Sequence, residues 1–255
     1  MKAHGETRSW RSALVEALDS LLFPWSCAIC NEPVDSGPFC EKCRAELLEK
    51  STRYARMACP RCGLRVGPHA NLERGCGACR GRVIGFDGVV AFGNYEGPLR
   101  DLCLMLKHER NAWLARWLTE LLAEGRAESL AALPADACVA PIPLHWSRFW
   151  KRGYNQADAL ARELAKHLNR PFCNALRRVT ATEKLTSRTA TDRREIMHNV
   201  FRMRPRARIS GRTVLLVDDV LTTGATCGDA ARTLRKAGAK QIVVVVLART
   251  ERARF

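Results

Sequence analysis

Residues 214–226 read Val-Leu-Leu-Val-Asp-Asp-Val-Leu-Thr-Thr-Gly-Ala-Thr, and no other stretch constrains the fold of this chain as much. Four consecutive apolar residues, two of them β-branched, predict a strand buried on both faces, as in a parallel sheet. Asp218 and Asp219 at its end sit at the carboxyl edge of the sheet, where α/β proteins bind ligands. Thr222, Thr223, Gly224, Ala225 and Thr226 then lead into a helix predicted over Thr226 to Ala237. Hydroxyls and a glycine at a helix N-terminus offer N–H groups to a phosphate, and the helix dipole favours the anion. Gly238 ends that helix, and Gln241 to Leu247 predicts a second buried strand. Two other readings compete: an ordinary strand and helix without a ligand, and the phosphoacceptor aspartate of a receiver domain. A receiver domain has no use for the threonine-rich loop.

A second block lies upstream. Cys138 to Ile142 is a short apolar run followed by Pro143, Leu144 and His145. Lys151, Arg152, Gly153, Tyr154, Asn155 and Gln156 then precede a helix with apolar positions at Ala157, Leu160, Ala161, Leu164 and Leu168. A strand, a tight proline loop and a basic helix entry suit a pyrophosphate. Arg152 supplies charge, Gly153 lets the backbone approach closely, and Asn155 is placed to cap the helix. The plainer reading of Arg152 alone is a solvated surface arginine.

Eight of the twelve cysteines fall in four CxxC pairs: Cys27/Cys30, Cys40/Cys43, Cys59/Cys62 and Cys76/Cys79. Two residues between cysteines let both thiolates of a tight turn face one ion, and two such turns complete the tetrahedral sulfur set that zinc prefers. The pairs build two sites, either sequential or interleaved. Disulfides and an iron–sulfur cluster are the alternatives for the same thiols. Closed four-cysteine zinc sites have no open position for substrate, so their expected role is structural, replacing a core that so short a stretch can hardly build. Cys103, Cys138, Cys173 and Cys227 stand singly and read as small buried apolar residues.

The chain has 255 residues with 42 Lys/Arg against 26 Asp/Glu, a formal charge of +16, and 47% hydrophobic residues. Such a chain has enough apolar content for a real core, and its length suggests one large domain with a smaller module attached. Between Pro141 and Arg212 there are seventeen Lys/Arg and five Asp/Glu, so most of the surplus sits mid-chain. Basic excess favours a polyanionic partner through counterion release, with a merely basic surface as the alternative. No run approaches the roughly 18 apolar residues of a membrane span. Leu14, Val15, Leu18, Leu21 and Leu22 predict an amphipathic helix in residues 1–23, while Glu16 and Asp19 argue against an export signal. The expected setting is therefore cytoplasmic, without a membrane partner, and with the cysteines reduced.

Together these motifs resemble the ComF competence-protein (GntX-like) family, from about Leu21 to Arg249 and in the right order. The Asp218-Asp219 segment is similar to the phosphoribosyl pyrophosphate (PRPP) signature of type I phosphoribosyltransferases. The resemblance implies an α/β, parallel-sheet type I phosphoribosyltransferase-like fold over residues 83–255, behind a double zinc ribbon over residues 24–82. It implies that Asp218 and Asp219 contact the ribose hydroxyls and that Thr222 to Thr226 wrap the 5′-phosphate. Mg²⁺ would bridge pyrophosphate and ribose oxygens, with Pro143, Leu144, His145, Arg152 and Gly153 at the pyrophosphate. It also marks Tyr95 to Arg100 as a strand–helix element followed by Lys107, which either faces the cleft or lies on the surface as a snorkelling lysine. Residues 124–136 read as a surface connection. The family pattern breaks in the expected hood, residues 177–201. Arg193 and Arg194 match its basic pair, but Leu185 stands where a Gln is usual and Ile196 where an Asn is usual.

Two functions follow from the resemblance. One is enzymatic: transfer of a ribose 5-phosphate unit from PRPP to an acceptor base, as in nucleotide metabolism. The other is handling of incoming single-stranded DNA in natural transformation, with a helicase-like partner. Arg202, Arg204, Arg206, Arg208 and Arg212 alternate along one segment, with Trp146, Phe149, Trp150 and Tyr154 available for stacking. The competing readings are a charged edge that keeps a strand soluble, and core aromatics.

Overall fold

A computed structural model describes residues 25–67, 70, 72, 73, 75–179 and 200–251, apart from the side chains of Arg148 and Lys151. The expected N-terminal helix and most of the expected hood, including Leu185, Arg193, Arg194 and Ile196, lie outside the described residues.

The chain divides into two compact units, residues 1–46 and 47–255. The first contains a short antiparallel hairpin, β1 (Trp25–Ser26) with β2 (Pro33–Val34), which pairs Trp25 with Val34. Cys27 donates its backbone N–H to Glu32 and accepts from Asn31, closing the turn between the first two cysteines. The division falls within α1 (Glu41–Met57). The expected boundary near residue 82 thus differs from the compact division. Cys59, Cys62, Cys76 and Cys79 are buried in one apolar cluster with Val214, Leu216 and Val244 of the sheet, so this stretch has its core in common with the second unit.

The second unit is built on a four-stranded parallel sheet. In chain order it contains β3 (Gly88–Asn94), α2 (Gly97–Met105), α3 (Leu114–Gly125), α4 (Ala127–Ala131), β4 (Cys138–Pro141), α5 (Trp146–Arg152) and α6 (Gln156–His167). There follow β5 (Leu176–Arg178), β6 (Phe201–Met203), β7 (Thr213–Leu221), α7 (Ala225–Lys236) and β8 (Gln241–Arg249). The sheet order is β3-β8-β7-β4, and β5 pairs with β6 in a separate antiparallel ribbon. β7 and β8 are central, which explains their near-continuous apolar runs: neither face is open to water. Val214, Leu216 and Val244 meet α7 residues Leu234 and Ala231 on one side. α6 packs against β4, β7 and α3.

Helix boundaries follow local chemistry. Asn155 accepts a hydrogen bond from the Ala157 N–H at 3.1 Å, capping α6. Gly153 closes α5 in the left-handed region at φ 77°, where a Cβ would run into the Glu109 carboxylate. Residues 124–136 are not simply a surface connection. They contain α4, where Leu130 is buried because its apolar side chain completes the core, and Arg170 donates to the carbonyls of Leu130 and Leu133. No helix among the described residues is long and apolar enough to cross a membrane.

Backbone meets backbone where α7 touches the segment after the second cysteine cluster. A Cβ on Gly228 would fall 2.7 Å from the Ile84 carbonyl oxygen, and one on Gly85 would fall 2.6 Å from the Gly228 oxygen. Gly228→Ala is therefore expected to cost about 1–3 kcal/mol through overpacking, read as a lowered urea midpoint at unchanged m-value. An unshifted midpoint would mean that the contact yields freely.

Candidate functional site

The acid pair lies near the carboxyl edge of the sheet, and β7 runs two residues beyond it to Leu221 instead of ending at the acids. Asp218 lies in register with Val246 of β8, and its Oδ1 accepts the Asp219 backbone N–H at 2.9 Å. Asp219 is buried, with Oδ1 accepting the Val220 N–H at 2.9 Å. Its Oδ2 meets two cleft residues: Gln156 Nε2 at 3.4 Å and Lys107 Nζ at 3.8 Å. Lys107, expected either in the cleft or on the surface, thus faces the acids. Gln156 follows directly on the Asn155 cap, so the α6 entry delivers it to Asp219. Its Oε1 is buried and makes no hydrogen bond, and the same holds for the Tyr154 hydroxyl. Burial, followed by the charge of Asp219, pushes the Tyr154 phenol up to about 12.

Asp218 is half-buried. Desolvation first, and the adjacent Asp219 charge second, hold its carboxyl well above the ordinary value of 3.8. Two adjacent carboxylates with one lysine nearby form a site that gains from an added cation or from hydroxyl donors. Gly224, at φ 80°, caps α7 in the left-handed region, and Thr223 Oγ1 accepts the Ala225 N–H at 3.3 Å. Thr222, Thr223, Ala225 and Thr226 are exposed around that turn. The free N–H groups at the start of α7 and its dipole fit an anion.

A cavity of about 610 Å³, within the size range of small-molecule sites, opens between the end of β4 and the α6 entry; neither Asp218 nor Asp219 lines it. Pro143, Leu144, Gly153 and Tyr154 line it together with Trp146, Phe149 and Arg204. The expected pyrophosphate residues Pro143, Leu144 and Gly153 are thus brought together with part of the expected nucleic-acid surface. His145 is used differently. It is buried, and its Nδ1 accepts the Ser147 N–H at 3.3 Å as the cap of α5. Arg152 is half-buried, at the end of α5.

The expected arginine run is split. A turn at Pro205 and Arg206 separates Arg202 and Arg204 from Arg208. Arg202 opens on a groove with Arg232 and Lys236, while Arg204 lines the larger cavity. Arg177, which the sequence did not single out, stands directly opposite Arg202 across the β5–β6 ribbon. Only knowledge of that pairing could have found it. Trp146 is 68% and Trp150 83% exposed, so these aromatics form a surface shelf and not a core.

The eight paired cysteines form two sequential clusters, Cys27/Cys30/Cys40/Cys43 and Cys59/Cys62/Cys76/Cys79, each with its sulfurs within 4.8 Å of one another. The sulfur separations fit zinc. Cys30–Cys40 is 3.7 Å, Cys62–Cys76 3.5 Å, and Cys59–Cys79 and Cys76–Cys79 are 3.8 Å. A tetrahedron with zinc–sulfur bonds of about 2.3 Å has edges of about 3.8 Å, whereas a disulfide would bring sulfurs to about 2.05 Å. A hydrogen bond from Cys62 lowers the Cys59 thiol, while that same contact raises Cys62, as expected for thiols crowded onto one centre.

A strand with paired acids near its end, a left-handed glycine opening a helix, and two four-cysteine clusters define a phosphoribosyltransferase-type domain that carries zinc ribbons. Family models agree. The phosphoribosyl transferase domain matches residues 151–254, and the double zinc ribbon domain matches residues 18–80. Competence protein F of Haemophilus influenzae is 34% identical over 227 residues, 88% of this chain and 90% of that protein. DNA utilization protein YhgH of Escherichia coli K12 is 31% identical over 90% of this chain and 99% of that protein. Competence protein ComFC of Bacillus subtilis is 29% identical over 78% of each. The chain belongs to the competence protein F family.

Two outcomes follow. Cys30 is exposed and Cys40 half-buried, whereas all four thiols of the second cluster are buried. A chromophoric chelator should therefore withdraw zinc in two phases, and Cys27→Ser should remove the faster one; a single phase in the parent protein would contradict this. The raised pKa of Asp218 means that the folded chain keeps a proton which the unfolded chain releases above pH 3.8. That stabilisation is present at low pH and is lost as pH rises toward the folded pKa. Asp218→Asn stays neutral, so in ligand-free protein its melting temperature should gain on the parent's as pH rises above 3.8. The gain expected is about 2–4 °C for each kcal/mol recovered.

Proposed function

We propose that the acid pair and the Gly224 turn bind PRPP with Mg²⁺, and that the adjoining basic and aromatic surface handles single-stranded DNA during DNA uptake. The observation carrying the first part is the meeting of Lys107 and Gln156 on Asp219, at the edge from which the Gly224 turn opens α7. Asp218 and Asp219 would accept hydrogen bonds from the ribose diol. The N–H groups of residues 223–226 would hold the 5′-phosphate dianion, and Arg152 and Lys107 would face the pyrophosphate. Magnesium, when bound with PRPP near Asp218 and Asp219, would neutralise pyrophosphate charge.

The DNA part rests on the cavity that joins Arg162, Arg177 and Arg204 to Trp146, Phe149 and Tyr154. Aromatic faces stack bases without regard to sequence, and arginines track the phosphates. Two relatives that match nearly this whole chain are named competence protein F and DNA utilization protein. A helicase-like partner would supply the strand. Arg177 opposite Arg202 adds support: like charges facing across a ribbon are unfavourable until a polyanion lies over them.

A second reading, favoured by the completeness of the acid–lysine–glutamine cluster, is full phosphoribosyl transfer in nucleotide metabolism. The C1–pyrophosphate bond would break as a bond from C1 to the acceptor base forms. Pyrophosphate release that depends on an added nucleobase would select it.

Calorimetric titration of PRPP should saturate with Mg²⁺ present, and Asp218→Asn together with Asp219→Asn should abolish the heat while leaving DNA binding little changed. No heat from folded, zinc-loaded protein would reject PRPP as the ligand. For DNA, Arg177→Gln with Arg204→Gln should weaken oligothymidine binding and flatten its salt dependence by about 0.7 in slope per lost phosphate contact. An unchanged slope would remove this surface from the DNA path.

A further inference from the structure

Arg249 ends β8 and is 1% exposed, among the largest fully buried side chains in the protein. Its Nε donates to the Cys62 carbonyl at 3.0 Å. One terminal nitrogen donates to the Leu221 carbonyl at 2.8 Å and also to the Thr222 carbonyl. Cys62 belongs to the second four-cysteine cluster, and Leu221 and Thr222 are two of the four residues between the acid pair and Gly224. A single guanidinium therefore spans the metal knuckle and the phosphate loop.

We propose that Arg249 is a positioning residue that makes the shape of the phosphate loop depend on the metal-bound form of the second cluster. The inference rests on the phosphate-binding reading of the loop. The chemistry is specific to arginine, whose planar fork holds several donors in fixed directions, while an ammonium on a flexible stem cannot reproduce that span. A buried guanidinium is costly unless its donors are met, and here the carbonyls of Cys62, Leu221 and Thr222 meet them. The acceptor side is fixed as well. The Tyr54 hydroxyl donates to the Gly63 carbonyl, so the turn carrying Cys62 is gripped at two successive carbonyls. Four thiolates on one ion hold that turn rigid. Without the ion the four sulfurs lose their common centre and the turn is freed, so the Cys62 carbonyl can leave Arg249 and the fork can no longer fix Leu221 and Thr222. The close backbone contact of Gly85 with Gly228 ties the start of α7 to the end of the same cysteine segment, which gives the coupling a second route.

Amide exchange tests this without reference to activity. The Gly228 and Thr250 N–H groups bond to the carbonyls of Gly224 (2.7 Å) and Leu221 (3.1 Å), so they report on the loop, while Val244 and Val246 report on the sheet. In full-length, zinc-loaded protein, Arg249→Lys is expected to speed exchange at the two loop amides on the order of tenfold, with Val244 and Val246 still protected. PRPP affinity, measured alongside, should fall by a similar factor. Withdrawing zinc from the second cluster of the parent protein should give the same loosening, and in Arg249→Lys it should add little. Unchanged loop exchange in the variant, or a metal effect undiminished in it, overturns the proposal. If Arg249→Lys does not fold, metal withdrawal from the parent decides: loop amides released before Val244 and Val246 support it, and simultaneous or absent release overturns it. Failure of the parent to bind PRPP would reject the ligand reading and leave the exchange result to judge the coupling.

Discussion

Burial of β7 and β8 on both faces governs the rest of this structure. A strand with no solvent face must be apolar along its length and can afford polar groups only where it leaves the sheet. That constraint places Asp218 and Asp219 at the carboxyl edge, where the backbone N–H groups of residues 219 and 220 partly satisfy them. It also forces the connection to α7 to be short and tightly turned, which is why Gly224 adopts a left-handed conformation. The candidate site is thus a by-product of how a central parallel strand leaves the sheet.

Much of this was legible in the amino-acid order. The apolar run before the acids, the glycine and hydroxyls after them, and the regular CxxC spacing each leave a local signature with one dominant physical explanation. The α6 entry was legible for the same reason, since Asn155 is a strong cap placed before a helical apolar pattern. Helix α7 starts one residue earlier than its hydroxyl pattern suggested, because Gly224 itself provides the cap position.

What escaped was everything that depends on contacts between distant segments. Arg249 reads as an ordinary charge near the end of a strand; only the fold shows that it is enclosed between Cys62 and Leu221. Gln156 was read only as part of the basic helix entry, and its role is not visible until Asp219 is seen beside it. The arginine run looked continuous because its alternation mimics a strand, yet Pro205 begins a turn and sends its members to different surfaces. The double-zinc-ribbon match ends at residue 80, close to the boundary read from the cysteine spacing, while the second cluster shares its core with the sheet, which the spacing could not show.

The strand order carries a consequence for how the protein is made. β3 pairs with β8, and β8 is the last strand described, so an early apolar strand waits for nearly the whole chain before its ladder can form. The intervening helices can form locally, but closing so long a loop is entropically slow, and during synthesis the ribosome would present an unpaired, aggregation-prone edge. A prematurely ended chain lacking β8 would leave both β3 and β7 without their shared neighbour. Final assembly of this sheet is therefore a late, cooperative event.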